Sequence, residues 1–211
     1  MNTNFPLVPG TYYHIFKRGN NREHLFFEER NYGYFLQLYT RYIYPIADTF
    51  AYCLMRNHFH LLVRIKTEDE VGYAIKALQL SNTKNIPCEL SVSLSRQFSN
   101  LFNAYSKAIN KAYGRTGSLF EEGFNRIPVT SDAYFLTLVF YIHYNPQKHG
   151  FVDDFRNWRW SSYAALSSAC ATHLRRDEVL GWFGGVDRFQ EYHQGWVDEK
   201  RISTLIEEDD D

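Results

Sequence analysis

Two histidines stand two residues apart in RNHFHLLVRI, residues 56–65, inside a run that otherwise reads as buried strand. Successive strand side chains point to opposite faces, so His58, His60, Leu62 and Arg64 share one face, and Phe59, Leu61 and Val63 the other. A buried imidazole needs a partner, and two neutral imidazoles on one face of a rigid strand can supply two ligands to one metal ion. Two core histidines satisfied by protein groups fit the spacing as well, so the pair alone leaves both readings open. A second pairing lies in SDAYFLTLVFYIHYN, residues 131–145, where Tyr141 and Asn145 are i and i+4 on one helical face. A hydroxyl and an amide carbonyl project together there, from an element that is apolar nearly all round and therefore largely buried. A core tyrosine and an asparagine closing the helix before Pro146 fit equally well. By type alone, Tyr105, Tyr113, Tyr134 and Tyr144 are equal candidates among 16 tyrosines.

The elements that position these residues follow from periodicity. TYYHIFKRG (11–19) alternates and ends in glycine, a strand and a turn. Residues 28–44 carry Tyr32, Phe35, Leu36, Leu38, Tyr39, Tyr42 and Ile43 at mostly helical spacing, stopped by Pro45. DTFAYCLM (48–55) and the histidine strand 58–65 are joined only by Arg56-Asn57, which predicts an antiparallel hairpin. Thr67 and Glu70 form a capping box for a helix through about Leu80, followed by a polar loop over 81–89. A long amphipathic helix spans 92–113 and closes at Gly114. FNRIPV (124–129) predicts an edge strand because of Pro128, and Thr130-Ser131-Asp132 caps a helix ending at Asn145, before Pro146. A further helical stretch lies near 176–195. This order predicts an α+β fold, an antiparallel sheet with helices packed on one face.

Hydrophobic residues make up 45% of the 211 and charged residues 22%, an ordinary globular balance. No apolar run is long enough to span a membrane, and Met1 opens no charged-then-apolar leader. Cys53, Cys88 and Cys170 are odd in number and widely spaced, which suits a reducing cytoplasm and argues against a zinc-thiolate cluster. The net charge of −1 hides a division, because residues 1–130 carry +5 and residues 131–211 carry −6, five of those acids in the tail EEDDD. The body is mildly basic, which permits a nucleic-acid partner without demanding one.

Order and wording of several motifs carry a resemblance. YYHIFKRGNNRE (12–23), YCLMRNHFHLLV (52–63), GRTGSLFEEGF (114–124), YIHYNPQKHGFV (141–152) and WRWSSY (158–163) follow one another. In that order the chain resembles the REP-associated tyrosine transposases, a branch of the single-tyrosine HUH transposases, over most of residues 12–163. The resemblance implies a ferredoxin- or RRM-like HUH fold over 1–163; beyond it the sequence pattern predicts a helical extension at 164–203, and composition an acidic, disordered tail at 204–211. It implies that His58 and His60 bind Mg²⁺ or Mn²⁺ and that Tyr141, opening YIHYNP, is the nucleophile. Asn145 matches the position of a third polar metal ligand, whose type varies in the wider group. The implied partner is single-stranded or hairpin DNA, bound by a monomer or a homodimer.

That chemistry is physically coherent. A phenol with a pKa near 10 is a poor nucleophile until a cation favours the phenolate or a base takes its proton. Two imidazoles and an amide oxygen leave positions for phosphate and water, and mixed N/O ligation suits Mg²⁺ or Mn²⁺. Arg18, Asn20, Asn21 and Arg22 match a family motif near the sheet edge and could contact DNA, as could Lys148 and His149 after the tyrosine helix. Two departures stand out: Arg56 replaces the family's usual proline, and Glu121 and Glu122 make an often basic stretch acidic. WRWSSY reads as packing, since tryptophans bury large areas.

Two rival functions share parts of this pattern. A histidine-triad nucleotide hydrolase needs a third histidine where Leu62 stands, which excludes it. A non-catalytic single-stranded nucleic-acid-binding module with an RRM-like sheet stacks bases on exposed strand aromatics. Such a module has no need of His58, His60 and Tyr141.

Overall fold

The computed structural model describes residues 5–72 and 90–194. The expected loop at 81–89, the far end of the helix opened by Thr67 and the acidic tail lie outside the described residues. Four strands, β1 (Tyr12–Arg18), β2 (Ala47–Leu54), β3 (His58–Ile65) and β4 (Asn125–Pro128), form one sheet in the order β2-β3-β1-β4. Every pairing is antiparallel. Arg56 and Asn57 make the tight turn between β2 and β3, closed by the Met55 N–H donating to the His58 carbonyl at 2.8 Å. Among the described residues β4 pairs only with β1, the edge position its proline allows.

The helices are α1 (Glu29–Tyr42), α2 (Leu90–Tyr113), α3 (Asp132–Lys148), α4 (Tyr163–Ser167), α5 (Arg176–Phe183) and α6 (Val186–Gln194). They cover both faces of the sheet rather than the one face expected. Ile15, Phe59, Leu61 and Val63 pack against α1 and α2 residues such as Phe35, Phe98 and Tyr105. Ala51, Cys53 and Leu62 pack against Phe135, Leu138, Tyr141 and Ile142 of α3 and against Leu166, Val179 and Phe189 of α4 to α6. The reason is visible in β2, whose Ala47 and Leu54 join one apolar cluster and whose Phe50, Ala51 and Cys53 join the other, so that both faces need cover.

Two further boundaries differ from expectation. α3 does not stop at Pro146 but runs to Lys148 with the proline inside it. Proline removes one helical hydrogen bond, and so near the end the last turn still closes, through the His149 N–H to the Asn145 carbonyl at 3.0 Å. The helical stretch at 176–195 is two helices, broken where Gly184 and Gly185 adopt φ of 83° and 112°. The Thr67 capping box forms as expected, with the Thr67 N–H donating to Glu70 Oε2 at 2.7 Å and the Glu70 N–H to Thr67 Oγ1 at 3.4 Å.

After β1 the chain turns sharply at Gly19, where a Cβ would lie 2.1 Å from the Glu23 carbonyl oxygen. The Gly19 N–H donates to the Asn57 carbonyl at 2.7 Å, which ties this turn to the residue preceding His58. Asn21 and Arg22 follow in left-handed conformation, φ 54° and 60°.

Candidate active site

β3 places His58 and His60 on the sheet face that α3 covers, and β1 adds a third histidine there. The β1–β3 register sets His14 opposite Leu62, Phe16 opposite His60 and Arg18 opposite His58. Tyr141 descends from α3 onto this group. Ring centroids are 5.2 Å apart for His58 and His60, 5.7 Å for His60 and Tyr141, and 6.2 Å for His14 and Tyr141. His149, just past α3, sits with its ring 4.8 Å from that of His58. The Lys148 Nζ lies 5.5 Å from the centre of the Tyr141 ring. His60, Tyr141 and Asn145 are fully buried, and His58 nearly so.

The hydrogen bonds set the proton positions. The Asn57 amide oxygen, 2.8 Å from His58 Nδ1, is an acceptor, so Nδ1 carries the proton and Nε2 presents a lone pair. That Nε2 is buried with no hydrogen-bond partner among the described residues. His60 Nδ1 is 3.0 Å from His14 Nε2. When His60 is the donor in that bond, its Nε2 is likewise a lone pair and can act as a ligand. The Asn145 amide nitrogen donates to the Tyr141 carbonyl at 2.8 Å, which leaves its oxygen, also buried without a partner, as the atom it can offer a cation. The Tyr141 hydroxyl is in the same condition.

Each such orphan costs about 1–3 kcal/mol in a folded chain, a cost that a ligand at the site can offset. Among the described residues no three His, Cys, Asp or Glu side chains are arranged to hold a metal. Two imidazoles with an amide oxygen are a different donor set, and one that fits a divalent ion of mixed N/O preference. The field around it is positive. Burial holds the His58 imidazole well below its usual pKa, helped by His149, Arg18 and Lys148. The same is true of His60, with His14, His58, His149 and Lys148 contributing. Both rings are therefore neutral ligands at neutral pH, in surroundings that attract phosphate.

The structure thus gathers His58, His60 and Tyr141, sets Lys148 over the tyrosine ring and Arg18 across from His58. Asn145 lies one turn further along α3. Asn20, Asn21 and Arg22 form the short 3-10 turn after β1, half-buried at Asn20 and exposed at the other two. Glu121 takes no outward role through its backbone: its carbonyl accepts from the buried Lys17 Nζ at 2.7 Å. Sequence reasoning missed His14. Alternation puts it on one face of β1, but only strand register shows that this face meets His60.

Buried neutral histidines make the fold acid-sensitive. Burial lowers His14 to about 3 and His193 to about 4, from an ordinary 6.5. Below pH 6.5 the unfolded chain takes up protons that the folded chain refuses, so stability is full above that pH and falls toward the folded values. At pH 5 each of the two costs roughly 2 kcal/mol. Urea unfolding of metal-free protein should lose about 4 kcal/mol or more between pH 7.5 and pH 5. An unchanged midpoint over that interval would mean that these rings are hydrated in the folded state.

No family model matches the chain. A Haemophilus influenzae protein assigned by name to the REP-associated tyrosine transposases is 30% identical over 122 residues, 57% of this chain. The match spans 60% of that relative's length. A solved structure of a REP-associated tyrosine transposase bound to a REP hairpin aligns with a TM-score of 0.55, over 78% of this chain and 84% of that one. At 12% identity that likeness is one of fold. The resemblance carried by the motifs therefore holds in both sequence and architecture.

Proposed function

We propose that this chain, similar in sequence and fold to the REP-associated tyrosine transposases, is a single-stranded DNA nuclease and strand transferase working through a 5′-phosphotyrosine. The observation that carries the reading is the meeting of the His58, His60 and Tyr141 rings on one buried face. His58 and His60, with the Asn145 amide oxygen, would hold Mg²⁺ or Mn²⁺. The ion supplies Lewis-acid polarisation of the scissile phosphate when bound. The Tyr141 oxygen attacks phosphorus. Its bond to phosphorus forms as the bond to the 3′-oxygen breaks, and the phenolic proton balances the released 3′-hydroxyl. The link conserves the phosphodiester energy, so a second 3′-hydroxyl can reverse the step and join new ends. Lys148, over the tyrosine ring, and Arg18, opposite His58, supply positive charge beside the phosphate.

The rival binding module fares worse against the same fold. An RRM-like binder needs an open sheet face on which bases stack, whereas helices cover both faces here. Incubating the protein with labelled hairpin DNA and Mn²⁺ tests the reading, and a covalent protein–DNA adduct resistant to denaturant is the expected result. Repeated failure to form one, with folded and metal-loaded protein, would return the binding module to first place.

Affinity should also report the electrostatics. Hairpin and single-stranded DNA should bind more tightly than random duplex. Three cations, Arg18, Arg22 and Lys148, give an expected slope of log affinity against log salt of about −2. That is roughly 15-fold weaker binding from 50 to 200 mM salt. A slope near zero would remove these side chains from the DNA interface.

A further inference from the structure

A second buried histidine pair lies on the opposite side of α3 from the candidate site. His143 Nδ1 is 2.9 Å from His193 Nε2, and His143 Nε2 is 2.7 Å from the Ser162 hydroxyl. His193 Nδ1 is 2.7 Å from the Phe189 carbonyl. Ser162 in turn is held to β2 twice, its hydroxyl accepting from the Tyr52 N–H and its own N–H donating to the Tyr52 carbonyl, both at 2.9 Å. All three side chains are buried.

The proton order in this chain has one solution for neutral rings. A carbonyl only accepts, so His193 carries its proton on Nδ1 and offers Nε2 as acceptor. His143 therefore donates through Nδ1 and accepts through Nε2, and the Ser162 hydroxyl donates to it. Every polar atom of the relay is satisfied, in contrast to the orphaned atoms around Tyr141. The relay joins four elements: β2, the WRWSSY stretch, α3 and α6.

Why such a relay should sit on this helix follows from what else holds it. α3 buries Phe135, Leu138, Val139, Phe140 and Ile142, an apolar contact around most of its circumference. Apolar packing is non-directional and sets the rotation of such a helix about its axis only loosely. A directional hydrogen bond fixes it. At about 100° per residue, His143 and Tyr141 project to opposite sides of the helix, so a tie at one orients the other. A rotation of roughly 10° moves a tyrosine oxygen by about 1 Å or more, and a misplacement of that size can cost on the order of 10²-fold in rate.

We infer that Ser162, His143 and His193 are positioning residues, a relay that sets the rotation of α3 and so aims the Tyr141 oxygen. The helix at Val186–Gln194 then belongs to the working unit, because it supplies the far end of the relay. The inference rests on the reading of Tyr141 as nucleophile for its consequence, but not for its geometry.

The experiment separates the two. In the full chain, 3-fluorotyrosine at position 141 reports the pose of that ring by ¹⁹F NMR without DNA or metal. Ser162→Ala and His193→Phe should each displace that resonance. Each should also slow adduct formation at saturating hairpin DNA on the order of tenfold or more, with DNA affinity within about twofold of wild type. Ser162→Thr keeps the hydroxyl and should restore both readouts. Val179→Ala opens a cavity in the same core without touching the relay, and should leave the resonance in place. A resonance unmoved in Ser162→Ala, which is the mildest change, overturns the inference, and so does an equal displacement in Val179→Ala. Should the wild type form no adduct, the NMR arm still decides the positioning role while the nuclease reading falls.

Discussion

Phenylalanine at position 141 is expected to abolish covalent adduct formation while making the protein more stable. The two effects have one cause. Among the described residues the buried Tyr141 hydroxyl has no hydrogen-bond partner, so removing it relieves about 1 kcal/mol of desolvation cost. Removing the nucleophile costs on the order of 10⁴-fold or more in rate. The ring remains to pack against His60 and His14, so DNA and Mn²⁺ should still bind. Tyr105→Phe is the informative control. Its hydroxyl donates to the Leu25 carbonyl at 2.8 Å, so its loss should destabilise by about 1 kcal/mol and leave adduct formation intact. Urea unfolding and a denaturing gel of the adduct read the two quantities separately. Peptide mapping of the wild-type adduct is decisive, since a nucleotide found on any other tyrosine overturns the assignment.

Alanine at position 58 or position 60 should remove both metal binding and cleavage. Each substitution deletes one of two imidazoles from the proposed donor set, an expected loss on the order of 100-fold or more in Mn²⁺ affinity. Asn145→Ala should weaken binding less, because both imidazoles remain and water can take the one oxygen position it vacates. Titration calorimetry with Mn²⁺ should find one site in the wild type and no measurable site in either histidine variant. Far-UV circular dichroism should stay native, since the helices and strands around the site are built on apolar packing. Heat of binding undiminished in both variants would place the ion elsewhere, or nowhere.

The chemistry-bearing residues were legible in the sequence wherever a local period sufficed. Alternation in HFHLLV is enough to put His58 and His60 on one strand face, and helical spacing is enough to put Tyr141 and Asn145 on one side of a helix. The strand boundaries and the hairpin at Arg56-Asn57 follow from similarly short-range rules. Choosing Tyr141 among 16 tyrosines needed more than period. It came from the resemblance of YIHYNP to a family motif, because no intrinsic property of a tyrosine marks it as nucleophile.

Tertiary structure decided the rest, through contacts between residues far apart in the chain. His14 meets His60 only because β1 pairs with β3 in one register; a slip of one residue would send it to the other face. Pro146 was expected to end its helix, yet one lost hydrogen bond is tolerated where neighbours hold the turn closed. Helices lie on both sheet faces because β2 carries apolar residues on both, a pattern that signals burial without saying what does the burying. His143 and His193, 50 residues apart, share a hydrogen bond whose existence depends on how α6 docks on α3. Local periodicity assigns a side chain to a face; which other face it meets is set by long-range packing, and that is where the candidate site was assembled.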